Sequence, residues 1–227
     1  MPDPYLRPRD AETAPLALGC MNFGQRTGAE QALAIIDRAL GEGVRLLDTA
    51  NVYCRGESER IVGRALRGRR DRVLVASKVG LDRVGRRPEG LSPATVVAAC
   101  EASLKRLGTD WLDLYYLHAP DPETPLEQTL AALGELLAAG RIRQWGVSNH
   151  ASWQVLELQH LAAQLGLPGP AVAQQLYNPL VRQLDLEYFR FAARYGLHTT
   201  IYNPLAGGLL SSPTPTPHFP PSPSHPS

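Results

Sequence analysis

Short apolar runs rich in branched and aromatic residues alternate along this chain with longer amphipathic stretches. The runs Ala17–Cys20, Arg45–Asp48, Arg72–Ser77, Leu112–Leu117, Arg143–Val147, Val172–Gln174 and His198–Ile201 read as strands. Between them, Ala29–Leu40 places Ala32, Leu33, Ile36, Ala39 and Leu40 on one helical face. Thr27-Gly28-Ala29-Glu30 reads as a capping box ahead of it, and Thr124-Pro125-Leu126-Glu127 repeats that logic for a helix ending at Gly140. Ser92-Pro93 opens a helix to Leu107, stopped by Gly108. A helix-like pattern follows Tyr53, with Glu57 and Glu59 as acids suited to a helix N-terminus. Two more helices, Ser152–Leu165 and Leu184–Tyr195, are stopped by Gly166 and Gly196.

Strands alternating with helices at this spacing imply parallel pairing through crossover helices. Two architectures satisfy that pattern, an open doubly wound sheet and a (β/α)8 barrel. The open sheet calls for a glycine-rich phosphate loop after an early strand. Gly19, Gly24 and Gly28 are too scattered to supply one, and no P-loop is present. The barrel is the expected fold.

Composition narrows the function classes. The chain has 227 residues and a formal net charge of +1, which gives no electrostatic footprint for nucleic acid or an anionic membrane. No apolar run approaches the length of a membrane span. The polar start Met1-Pro2-Asp3-Pro4 reads as lacking a secretory leader. Cys20, Cys54 and Cys100 have neither metal-site nor redox spacing and fit reduced thiols in the cytoplasm. The basic residues comprise 21 arginines and two lysines, Lys78 and Lys105. A lysine at a strand end therefore stands out, because lysine and arginine are different chemical tools.

Most strands close on a chemically useful group. Asp48 ends the second, Lys78 the third and His118 the fourth; Ser148-Asn149 follows the fifth, Gln174 the sixth and Tyr202 the seventh. In a barrel of this type those ends meet at one mouth, where chemistry is placed. Taken singly, each has an ordinary structural reading. Asp48 can cap its loop, Tyr53 can pack at the rim, and Asn149 and Gln174 can satisfy backbone groups. His150, His160 and His198 read as structural, and Cys20 as a small hydrophobe near the mouth. Taken together, Asp48, Tyr53, Lys78 and His118 describe an acid for a developing alkoxide. An ammonium beside a phenol favours the phenolate. A carboxylate holds the ammonium, and a histidine can hydrogen-bond a substrate oxygen.

The stretches LLDTANVY, SKVG, SLKRLGTDWLDLYYLHAPDP, GVSN, QQLYNPL and IYNPLAGGLL, in this order from Leu16 to about Leu210, resemble the aldo-keto reductase superfamily. The last of them, and LHAPDPETPLEQTL, look most like its aflatoxin-aldehyde-reductase branch. The resemblance implies reduction of a small-molecule aldehyde or ketone by hydride transfer from NADP(H), without a metal, on a TIM barrel. NAD(H) stays open, because the discriminating residues would lie past Leu210. By position, the resemblance makes Tyr53 the proton donor, with Lys78 and Asp48 tuning it and His118 positioning the carbonyl. It assigns Ser148, Asn149 and Gln174 to the nicotinamide carboxamide, with Tyr202 stacked on the ring. Asn203, Pro204, Leu205, Ala206, Gly207, Gly208, Leu209 and Leu210 would wrap the pyrophosphate with backbone, and Cys20, Met21 and Asp48 would line the same site.

After Leu210 the family pattern would continue into an eighth strand and further helices. Here the last seventeen residues, SSPTPTPHFPPSPSHPS, hold seven prolines and no Asp, Glu, Lys or Arg. The expectation is a partial barrel of about seven strands over residues 1–210 and a disordered tail over 211–227. A shifted reading frame or a real truncation would leave such a sequence. Nothing in the pattern speaks to oligomeric state.

Overall fold

The computed structural model describes residues 16–81 and 89–211. Seven strands form one sheet in chain order: β1 (Ala17–Gly19), β2 (Leu46–Asp48), β3 (Leu74–Val79), β4 (Leu114–Leu117), β5 (Trp145–Ser148), β6 (Val172–Leu176) and β7 (His198–Tyr202). Each pairs in parallel with the next. Six helices connect them: α1 (Ala29–Gly41), α2 (Glu57–Leu66), α3 (Pro93–Leu107), α4 (Leu126–Ala138), α5 (Ser152–Gln164) and α6 (Tyr188–Tyr195). The predicted alternation and the seven-strand count are both present. The tail expected to be disordered lies outside the described residues from 212 onward.

The sheet is rolled. Gln174 in β6 donates to Asp48 Oδ2 in β2 at 2.8 Å. In a flat sheet these strands would stand four spacings apart, roughly 19 Å. The two sheet faces are correspondingly different. Leu46, Ala76, Leu114, Tyr116 and Val172 pack on one another inside the roll. Leu47, Val75, Leu117, Val147 and Ala173 face outward into the core shared with the helices. Consecutive strand residues point to opposite faces. Tyr115 and Tyr116 illustrate this: both are fully buried, Tyr115 on the helix side and Tyr116 inside the roll. Gly146 makes room for Tyr116, its partner in register. A Cβ at Gly146 would sit 3.0 Å from the Tyr116 ring and 2.7 Å from the Val172 carbonyl.

The stops fall where glycine placed them. Gly108 and Gly196 are left-handed caps, and Gly140 and Gly166 also have positive φ. Ser92 caps α3 by accepting from the Thr95 amide. The other two predicted caps do not form. Gly28, not Thr27, precedes α1, because Thr27 is held in a turn by Asn22 and Gly24. Pro125 precedes α4, and the Thr124 hydroxyl goes instead to Asp121 Oδ2 at 2.7 Å. The predicted helix from Leu184 begins only at Tyr188. Ahead of it lies a tight turn in which Asp185 takes hydrogen bonds from Tyr177 and Arg182.

Candidate active site

The mouth is built where the strands end. Lys78 in β3 is fully buried. Its Nζ donates to Asp48 Oδ1, to the Thr49 carbonyl at 2.8 Å and to the Tyr53 hydroxyl at 3.3 Å. An ammonium has three protons, and these three acceptors use them all. Burial alone would lower the Lys78 pKa. The Asp48 carboxylate, and after it Tyr53, more than reverse that, and the net shift is upward. Lys78 is a fixed cation at the centre of the site.

Tyr53 arrives by a different device. It opens a turn in which Cys54, Arg55 and Gly56 all have left-handed φ, at 49, 56 and 82°. That turn swings the chain from the end of β2 into α2 and lays the Tyr53 ring 4.8 Å from Lys78 Nζ. The phenol oxygen accepts from the ammonium, so its own proton points elsewhere. His118, immediately after β4, meets Tyr53 edge-on with ring centroids 5.7 Å apart. Beneath them the Tyr116 ring lies 5.7 Å from Lys78 Nζ and forms the floor. Burial holds the Tyr116 phenol well above its ordinary pKa, so it stays neutral.

The strand-end amides join the same network. Asn149, left-handed at φ 62°, donates to the His118 carbonyl at 2.8 Å and to Ser148 Oγ at 3.1 Å. Its Oδ1 accepts from the Tyr202 hydroxyl at 2.8 Å. Gln174 ties this side to Asp48. All six expected strand-end groups and Tyr53 are therefore within one cluster. The neutral donors and acceptors of Ser148, Asn149 and Gln174, beside the half-buried Tyr202 ring, suit a flat carboxamide-bearing heteroaromatic.

The phosphate end is different. The segment from Asn203 to Leu210 is wound on itself. The amides of Ala206, Gly208, Leu209 and Leu210 donate to carbonyls within it, and Gly207 donates to Asn203 Oδ1 at 2.7 Å. In this conformation those five N–H groups are committed internally, and a pyrophosphate bound through them would have to displace these bonds. Leu205 and Leu209 are exposed. The Cys20 side chain is fully buried in the core, and burial raises its pKa. Met21 beside it is exposed on the loop after β1.

Three features were not read from the sequence: the Thr49 carbonyl as a lysine acceptor, Tyr116 as the floor, and the Gln174–Asp48 bond. Only Tyr116 had a signal, the glycine at the matching position of β5. Glu59 was read as a first-turn acid. It holds that place in α2, but it is fully buried and paired with Arg106. His150 is buried and structural, its Nδ1 2.8 Å from the Ser148 carbonyl.

The aldo/keto reductase family model matches residues 15–226. Aflatoxin B1 aldehyde reductase member 2 of Mus musculus is 39% identical over 211 residues, covering 90% of this chain and 56% of the relative. Its Homo sapiens namesake is 41% identical over 200 residues, covering 86% and 54%. A probable voltage-gated potassium channel subunit beta of Oryza sativa subsp. japonica is 35% identical over 195 residues, covering 84% and 60%. The chain spans about half the length of the curated relatives it matches. With the seven-stranded parallel roll and the cluster at its mouth, these matches lead to one conclusion: the chain belongs to the aldo/keto reductase family.

Proposed function

We propose that this chain carries the catalytic face of an NADPH-dependent reductase that converts small-molecule aldehydes or ketones to alcohols in the cytoplasm. The observation that carries the reading is the buried Lys78 ammonium shared between Asp48 and the Tyr53 hydroxyl. When bound, the nicotinamide cofactor supplies a hydride to the carbonyl carbon. Tyr53 gives its proton to the carbonyl oxygen as charge develops there, and solvent later returns a proton to the phenolate. Lys78 stabilises the negative charge left on the phenol oxygen, and Asp48 holds Lys78 in place. His118 donates to the carbonyl oxygen and orients it. Ser148, Asn149 and Gln174 would hold the carboxamide end of the cofactor, with Tyr202 beside it. The backbone from Asn203 to Leu210 would take the phosphate end after releasing its internal bonds, and NADH remains within the reading.

A second reading follows from the channel-subunit relatives: a non-catalytic subunit that senses the nucleotide. The complete Asp48–Tyr53–Lys78–His118 cluster favours catalysis. Thermal melting with and without NADPH, together with turnover of an aldehyde panel, separates them. A raised melting transition and carbonyl-dependent oxidation of NADPH support the reductase. Tyr53→Phe should then lower turnover by at least about 100-fold, while NADPH still raises the transition. Comparable turnover in Tyr53→Phe refutes the acid assignment. Cofactor binding that no carbonyl discharges supports the sensing subunit.

A further inference from the structure

Two buried polar residues directly behind the site have no part in the chemistry above. Ser58 and Glu59, the second and third residues of α2, are both fully buried. Ser58 Oγ donates to the Cys20 carbonyl at 2.7 Å and lies 2.8 Å from Thr49 Oγ1. Glu59 Oε1 accepts from Ser77 Oγ at 2.6 Å, and its Oε2 accepts from Arg106 Nε. Two of these partners are immediate neighbours of site residues. Thr49 follows Asp48, and Ser77 precedes Lys78. Side chains alternate along a strand, so Ser77 faces α2 because Lys78 faces the interior.

We infer that Ser58 and Glu59 are positioning residues, which pin the helix that carries Tyr53 to the two strands that carry Asp48 and Lys78. The inference rests on the reading of Tyr53 as the proton donor. Tyr53 is joined to α2 by three successive left-handed residues, a tight connection, so a displacement of α2 reaches the phenol. The tolerance is small. The Lys78–Tyr53 hydrogen bond is already 3.3 Å long, near the limit for such a bond. An apolar residue at 59 would seal the same interface without burying a charge. A carboxylate adds direction: its hydrogen bonds fix both the height and the rotation of α2 against β3, where apolar packing would allow sliding.

The test places 3-fluorotyrosine throughout the full chain and follows Tyr53 by 19F NMR, with Tyr53→Phe to assign its signal. Glu59→Gln leaves Arg106 without its partner and endangers folding. Ser77→Ala removes one hydroxyl and keeps the Glu59–Arg106 pair, and Ser58→Ala probes the other pin. A buried hydroxyl away from this network serves as the control: Thr129 on α4 donates to the Leu91 carbonyl at 2.9 Å. The expected result is a Tyr53 signal shifted and broadened in Ser58→Ala and Ser77→Ala and unmoved in Thr129→Ala. Carbonyl turnover should fall about tenfold in the first pair, with the KM for cofactor unchanged. A Tyr53 signal unmoved in folded Ser58→Ala and Ser77→Ala overturns the inference, as does an equal shift in Thr129→Ala. The NMR signal does not depend on turnover, so the pinning and the acid assignment can fail separately.

Discussion

Lys78 shows how a single residue organises the site. It is fully buried, and its carboxylate partner Asp48 is nearly so. Lys78→Met leaves Asp48 as a buried charge without its ion-pair partner. The expected loss is about 3–5 kcal/mol by urea denaturation, partly recovered in Lys78→Met/Asp48→Asn. The raised Lys78 pKa also sets an alkaline limb: its contribution is complete below about pH 10.5, the ordinary lysine value, and is lost as pH rises through the folded value. His150 sets the acid limb. Burial lowers its pKa from 6.5 to about 4, so the unfolded chain takes up the proton first. Stability should be complete above pH 6.5 and fall between 6.5 and about 4, by about 3 kcal/mol over that window. Denaturation midpoints across pH should show this acid limb, and His150→Gln should flatten it. Lys78 was legible in the sequence because it is one of two lysines among 23 basic residues. His150 was legible as structural but its depth of burial was not, since burial of a lone histidine depends on everything packed around it.

At the scale of elements, the approach of α2 to α3 is the tightest constraint. A Cβ at Gly63 would lie 2.5 Å from the Leu107 carbonyl oxygen and 2.9 Å from that of Arg106. Both are backbone atoms that cannot rotate away. An Ala in a helix interior normally gains about 1 kcal/mol over Gly. Gly63→Ala should instead lose about 1–2 kcal/mol in denaturant titration, because overpacking outweighs propensity. The turn that carries Tyr53 stores strain of its own. Cys54 and Arg55 occupy left-handed backbone at a cost of about 1–2 kcal/mol each, held by the structure around them. Helix stops were legible because a left-handed cap needs glycine locally. The caps at Thr27 and Thr124 were misread although the helices begin where expected: the Thr27 backbone is tied to Asn22 and Gly24, and the Thr124 hydroxyl donates to Asp121, three residues back.

Across the whole molecule, stability should be uneven. Among the described residues β1 pairs only with β2 and β7 only with β6, and Leu16 and Ile201 on these margins are exposed. Hydrogen exchange should therefore be about tenfold or more faster in Ala17–Gly19 and His198–Tyr202 than in β3 to β5. Equal protection throughout would mean that the two margins are covered in solution. The order and parallel sense of the strands were determined by the sequence itself, because periodicity and glycine stops are local signals repeated at every crossover. So was the arrival of Asp48, Lys78, His118, Asn149, Gln174 and Tyr202 at one end, since parallel strands share a direction. The tertiary structure alone decided which carboxylate serves which partner. Asp48 turns inward to Lys78 and to Gln174, 126 residues away, while Glu59 turns behind the sheet to Arg106. Both are acids near a strand end or helix start. Their pairings follow from the roll of the sheet and the seating of α2, which bring together residues whose proximity no local pattern encodes.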